Sequence, residues 1–124
     1  MEFNDNIAIY LQIANLIYDR ILSGEWKPME RIPAIRELSV TLEVNPNTVM
    51  RTYQLLETLN IITVKRGTGF YLTENSYDLV FSNQKKTFLD EQLPNLFKKL
   101  QLLNITPEEF KKWYEENLMN PLKS

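Results

Sequence analysis

The chain contains neither cysteine nor histidine in its 124 residues. Without cysteine there can be no disulfide and no thiolate metal site. Without histidine the commonest general base and the commonest metal ligand are missing. No glycine-rich phosphate loop is present either, so a catalytic role is excluded and no cofactor is expected. No apolar run approaches the roughly 18 residues that a membrane span requires. Met1-Glu2-Phe3-Asn4-Asp5 lacks the basic and apolar regions of a signal peptide, which makes a soluble cytoplasmic protein the expectation. A strong charge of either sign is also absent. Lys and Arg total 14 against 16 Asp and Glu, for a net charge of −2.

What is present describes a globular chain, with 44% hydrophobic and 24% charged residues. Its length suits one compact domain, or a small domain with an appendage. The first apolar stripe, Ile9, Ile13, Ile17 and Ile21, recurs at four-residue spacing. It predicts a helix from Ile7 or Ile9 to Ser23, widened by Tyr10 and Leu16 and ended by Gly24. Trp26-Lys27-Pro28-Met29 reads as a loop, and Pro33 is expected to open a second helix through Ile35, Leu38 and Leu42. A short turn at Glu43-Val44 leads to a third helix that should bury Val49, Leu55 or Leu56, and Leu59. Ile61 to Lys65 is β-branched and reads as a strand, Arg66-Gly67-Thr68-Gly69 as a turn, and Phe70 to Thr73 as the returning strand. Three helices followed by a hairpin make a mostly α fold with a small β-hairpin, a winged helix-turn-helix over residues 1–73.

Asn45-Pro46-Asn47-Thr48-Val49-Met50-Arg51 carries the clearest functional signal. Asn45 is a favoured N-cap, and Pro46 suits a first helical position where no N–H is needed. Asn47, Thr48 and Arg51 then project near a helix start, where a recognition helix meets base edges in the major groove. Asparagine pairs well with adenine and arginine with guanine. A capped polar surface helix is the bland alternative. The acidic total weighs against nucleic acid, yet the charge is uneven. Between Arg31 and Leu72, the basic residues Arg31, Arg36, Arg51, Lys65 and Arg66 outnumber Glu37, Glu43 and Glu57, and residues 58–73 hold no acid. Few phosphate contacts and a modest non-specific affinity are expected.

Across Ile9–Leu72 the chain resembles the DNA-binding domain of the GntR superfamily of bacterial transcription regulators. The residues that carry the likeness are Tyr10-Leu11-Gln12-Ile13, Ile21-Leu22-Ser23-Gly24-Glu25-Trp26-Lys27-Pro28, Arg31 to Leu38, Val44 to Val49, and Lys65 to Phe70. The Asn-Pro-Asn-Thr-Val version and the short tail are most similar to the YtrA-like branch. The resemblance implies that Arg36 contacts DNA and that Asn45, Asn47, Thr48 and Arg51 lie on the recognition surface. It also implies that Arg66 and Gly67 form a wing tip entering the minor groove. A salt bridge from Arg36 to Glu37 or Glu57, and a ligand-free hairpin turn, are the alternatives. Two departures matter: Met29 stands where the family usually has glycine, and Pro46 and Met50 stand where several branches are basic.

Residues 74–124 read as a helical dimerisation tail. Leu89, Leu93, Leu96, Leu100 and Leu103 alternate at spacings of four and three, a coiled-coil seam. Pro94 lies inside it and predicts a kink or break near Gln92 or Leu93. Asn104 ends the segment, and Thr106-Pro107-Glu108-Glu109 reads as a capping box. Phe110, Trp113, Tyr114 and Leu118 supply the last apolar face. So much apolar surface on so short a tail should pack on a second copy, with folding back onto the winged domain as the alternative. Glu108-Glu109 and Glu115-Glu116 read as solvated helix faces, not a metal site, since adjacent residues diverge by about 100°.

The expected function is sequence-specific transcription regulation, as a homodimeric repressor on a palindromic double-stranded DNA operator. The competing reading is a winged-helix protein-interaction module that never binds DNA, which the acidic pI favours. An unknown small-molecule effector could lodge among Tyr77, Phe81 and Trp113. Its expected action is on the spacing of the two heads.

Overall fold

The structure, a computed structural model, describes Phe3 and residues 7–119. The chain divides into two compact units, residues 1–83 and 84–124. The first unit, the head, begins with α1 (Ile9–Leu22), whose buried face is Ile13, Ala14, Ile17, Tyr18 and Ile21. Ile9, the first residue of the expected stripe, lies outside the core and is exposed. Gly24 follows the helix with φ +83, a left-handed value that glycine adopts without Cβ strain.

The segment read as a loop has a structural task. Ile32 N–H donates to the Phe70 carbonyl (2.9 Å), Leu72 N–H to Glu30 (3.0 Å), and Met29 N–H to Leu72 (3.1 Å). Residues 29–32 therefore lie along the edge of the hairpin, with Arg31 bridged antiparallel to Tyr71. Met29 reaches this register with φ +72. The left-handed turn is kept despite the missing glycine, at a cost of about 1 kcal/mol.

Pro33 does not open the second helix. The N-cap is Ala34, and α2 spans Ile35–Leu42, with the Glu37 carboxylate accepting the Ala34 N–H at 3.2 Å. Pro33 instead supplies a carbonyl that accepts the Tyr53 hydroxyl at 2.7 Å. α3 (Pro46–Thr58) buries Val49, Thr52, Tyr53 and Leu56, while Leu55 is half-buried and Leu59 is exposed. Tyr53 rather than Leu59 completes the buried face because its ring also meets Phe70 edge-on at 5.0 Å. One side chain thus joins α3, the entry to α2 and the hairpin. Burial, with Glu37 adding to it, pushes the Tyr53 phenol well above its ordinary range; Arg20 acts weakly the other way.

The hairpin pairs β1 (Ile62–Lys65) with β2 (Gly69–Leu72), from Ile62 opposite Leu72 to Lys65 opposite Gly69. Ile62 and Leu72 turn into the core with Ile61 and Ile32. The head continues past the expected boundary at residue 73. α4 (Ser76–Thr87) buries Ser76 and Val80, so its first turns belong to the head core. Val80 joins Leu72 and the other buried side chains of the head's core cluster.

In the second unit, the tail, the helical backbone widens into a π turn over Phe88–Gln92, where Leu93 N–H donates to the Phe88 carbonyl. Pro94 explains it. The ring cannot sit in an α turn without clashing with the carbonyl four residues earlier, and the wider turn absorbs it. The expected kink or break is therefore a bulge. α5 (Leu93–Leu102) ends at Asn104, which takes φ +55. α6 (Pro107–Met119) starts with the capping box: Glu109 N–H donates to Thr106 Oγ1 (3.1 Å) and Thr106 N–H to Glu109 Oε1 (3.2 Å).

Candidate nucleic-acid interface

The head's second and third helices are joined by a tight turn. Glu43 takes φ +56, and Val44 N–H donates to the Ser39 carbonyl at 3.0 Å. Asn45 Oδ1 then accepts the Asn47 N–H at 2.8 Å, and Pro46 occupies the first turn. The Asn45 oxygen is therefore engaged in the cap, which leaves its amide nitrogen as the group free to face a ligand. With 100° between residues, Asn47, Arg51 and Gln54 share the face of α3 opposite Val49, Tyr53 and Leu56, and all three are exposed. Thr48 is half-buried at the edge of that face.

Arg51 is held from the side. Its guanidinium lies over the Tyr10 ring of α1, 3.8 Å from the centroid. Thr52 Oγ1 donates to the Tyr10 carbonyl at 2.8 Å and stands 3.2 Å from the Thr48 carbonyl, so the same turn of α1 is fastened to α3.

Arg36 is exposed on α2, and among the described residues it has no carboxylate partner. Neither Glu37, which faces the Ala34 amide, nor Glu57 pairs with it. At the far end of the head, Lys65 carbonyl accepts the Thr68 N–H (2.9 Å) and hydroxyl (3.0 Å), which closes the hairpin over Arg66 and Gly67. Gly67 has φ +81, and a Cβ there would meet nothing within 4 Å. Both tip residues are exposed.

Arg31 and Lys65 lie on the same wing, although neither was among the expected DNA contacts. Lys65 Nζ sits 4.4 Å from the centroid of Tyr71, and Arg31 is bridged to the same residue. Arg31 also lies across Gly69, where a Cβ would come 3.0 Å from its Nε. Lys65 thus lies at the Tyr71 ring, and Arg31 lies on the neighbouring edge of the wing. The place of Lys65 in an acid-free stretch was visible in the sequence; that of Arg31 beside Tyr71 needed the edge register of residues 29–32. Gln54 was missed for a simpler reason, since it lies two turns past the helix start that drew attention.

The tail contributes a different kind of surface. Leu89, Leu96 and Leu103 are exposed, and Leu93 and Leu100 are only half-buried. The aromatic group expected to hold an effector divides between the units. Tyr77 and Phe81 stack on each other at 5.9 Å in the head, and Trp113 is half-exposed in the tail. Within the tail, Phe97, Leu100, Gln101, Ile105, Thr106, Pro107 and Phe110 line a hollow of about 320 Å³.

A family model described as "Bacterial regulatory proteins, gntR family" matches residues 9–72, the head up to the end of β2. The HTH-type transcriptional regulator YhcF of Bacillus subtilis is 34% identical over 108 residues, covering 87% of this chain and 88% of the relative. The HTH-type transcriptional repressor YtrA of the same organism is also 34% identical over 108 residues, covering 87% and 82%. A GntR family transcriptional regulator from Listeria monocytogenes has a solved structure that superposes with a TM-score of 0.74. It is 33% identical and covers 92% of this chain and 98% of that one.

Proposed function

The chain belongs to the gntR family of bacterial regulatory proteins and is a DNA-binding transcription regulator, and from that premise we propose that it represses as a homodimer on a palindromic operator. The observation that supports this most directly is the set of exposed cations on the head. Arg36, Arg51 and Arg66 have no carboxylate partner among the described residues, on a chain whose total charge is negative. Exposed arginines without acidic neighbours make a locally positive surface on an acidic protein, and such a surface suits an anionic partner.

In this reading Asn47, Thr48 and Arg51 meet base edges, with the Asn45 amide beside them at the helix start. Arg36 contacts the backbone, and Arg66 and Gly67 approach the minor groove, where open space at Gly67 allows close contact. The tail leucines join two chains, so that two α3 helices face half-sites about one helical turn apart. The naming of the Bacillus subtilis relative as a repressor supports repression here. A small-molecule effector that alters head spacing has a better-formed place in the α5–α6 hollow than among Tyr77, Phe81 and Trp113. Its volume stands at the lower end of ligand-sized sites.

In vitro selection from random duplexes tests the proposal. The expected product is an inverted repeat with half-site centres about 10 base pairs apart. Recovery of no enriched sequence, even at low salt, would return the head to the protein-interaction reading.

A further inference from the structure

We infer that Tyr10 is a positioning residue for operator reading: its ring holds the Arg51 guanidinium in the orientation that presents it to a base edge. The inference rests on the DNA-reading proposal and adds a member that lies outside the helix-turn-helix, on α1.

Three observations carry it. The Arg51 guanidinium lies 3.8 Å from the Tyr10 centroid, well inside the range of a cation–π contact. Tyr10 is half-buried while Arg51 is exposed, so the ring is the fixed member and the guanidinium the one facing solvent. The Tyr10 backbone is itself fixed, because its carbonyl accepts the hydroxyl of Thr52, which is fully buried and follows Arg51 directly on α3. Ring and guanidinium therefore cannot separate by sliding α1 along α3 without breaking a partly buried hydrogen bond.

The physical consequence concerns entropy. A free arginine side chain loses much of its rotamer freedom when it is ordered against a base. A guanidinium already stacked on a ring has given up part of that freedom before DNA arrives. Stacking also leaves the in-plane N–H groups unblocked, since the ring occupies only one face of the guanidinium. Those are the groups that a bidentate contact to guanine uses. Tyr10 thus supports the contact without making it.

The test is a double-substitution cycle in the full chain on the selected operator, read by fluorescence anisotropy against every single base-pair change in one half-site. Tyr10→Leu should weaken operator binding about two- to fivefold, and Tyr10→Phe, which keeps the ring, should restore it. In an Arg51→Ala background Tyr10→Leu should have no further effect. Discrimination should fall at the same base pair in Tyr10→Leu and Arg51→Ala, and at no other. A merely structural defect would weaken all operator variants by one factor and would persist in the Arg51→Ala background. That additive outcome overturns the inference, as does Tyr10→Phe behaving like Tyr10→Leu, or Tyr10→Leu binding more tightly because the ring had held Arg51 away. Should Tyr10→Leu fail to fold, the unsubstituted protein still decides. Its Arg51 δ protons should be displaced upfield by the ring, and unshifted protons refute the stacking. Selection of no operator by the unsubstituted chain would overturn the DNA-reading proposal and this one together, whereas additivity on a genuine operator removes only the role of Tyr10.

Discussion

The head and the tail are built from the same kinds of apolar residue and differ in what those residues touch. Every buried hydrophobic side chain among the described residues lies between Ile13 and Val80, within the head. In the tail Leu96 is 37% exposed, Trp113 48% and Leu103 64%, and no described residue is buried. The head closes its own core: α1 lies against α3, Tyr53 ties α3 to Pro33 and Phe70, and Val80 of α4 is buried with them. The tail has sound local structure, with a capping box and a glycine-like turn at Asn104, but its described residues form no buried interior. Local signals make helices; only burial makes a stable unit. That difference is what the dimer proposal rests on: the head carries a core, and the described part of the tail carries apolar surface that a second chain could cover.

The strongest way to break that contrast is at the tail seam. Leu96→Glu should lower affinity for a full operator by at least about 100-fold, because linking two heads multiplies their binding by such factors. The head's thermal unfolding should be unchanged. A full-operator affinity within twofold of the original would mean that the seam joins nothing.

On the head, Arg51→Ala should weaken operator binding by about tenfold, the usual range for one bidentate base contact being about 1–3 kcal/mol. Sedimentation of the free protein should not change. Unaltered affinity would take Arg51 off the reading face and leave Asn47 and Gln54 to carry it.

Tyr53→Phe probes what the tail lacks. It strands the Pro33 carbonyl and should lower head stability by about 1 kcal/mol in denaturant titration. The phenol also sets a pH dependence. Its folded-state pKa is raised above the ordinary value of about 10, so the neutral form is the one the fold favours. The stability it contributes is complete below about pH 10 and declines as the pH rises further. Tyr53→Phe should remove that share of the alkaline loss, and an identical alkaline profile would show that the ring ionises without hindrance.

The smallest effect belongs to Met29. Replacing it by glycine should stabilise the head by about 0.5–1 kcal/mol, because φ +72 is strained for a side chain with a Cβ. A destabilised Met29→Gly variant would show that the thioether packs more usefully than the exposed position suggests.

The parts of this molecule that were legible in its sequence are those set by near neighbours. The Asn45 cap, Pro46 at the first turn, the Arg66-Gly67 tip and the Thr106–Glu109 box each depend on residues within three positions of one another. What escaped depends on distance along the chain. Residues 29–32 look like a loop until β2, forty residues later, gives them an edge to lie on. Tyr53 looks like one more residue of a helix until Pro33 and Phe70 reach it. The place of Val80 escaped for the same reason, since it belongs to a core that a break in local pattern after residue 73 cannot reveal. In the site, Arg51 was visible as a cation at a helix start, but Tyr10 beneath it was hidden as one more member of an apolar stripe.

The central claim is that two heads act through one tail-joined pair, and sedimentation velocity with and without labelled operator tests it most directly. The account predicts a free dimer at micromolar concentration, two chains on each full inverted repeat, and much weaker binding to a half-site. A free monomer that binds a half-site as tightly as the full repeat would contradict it.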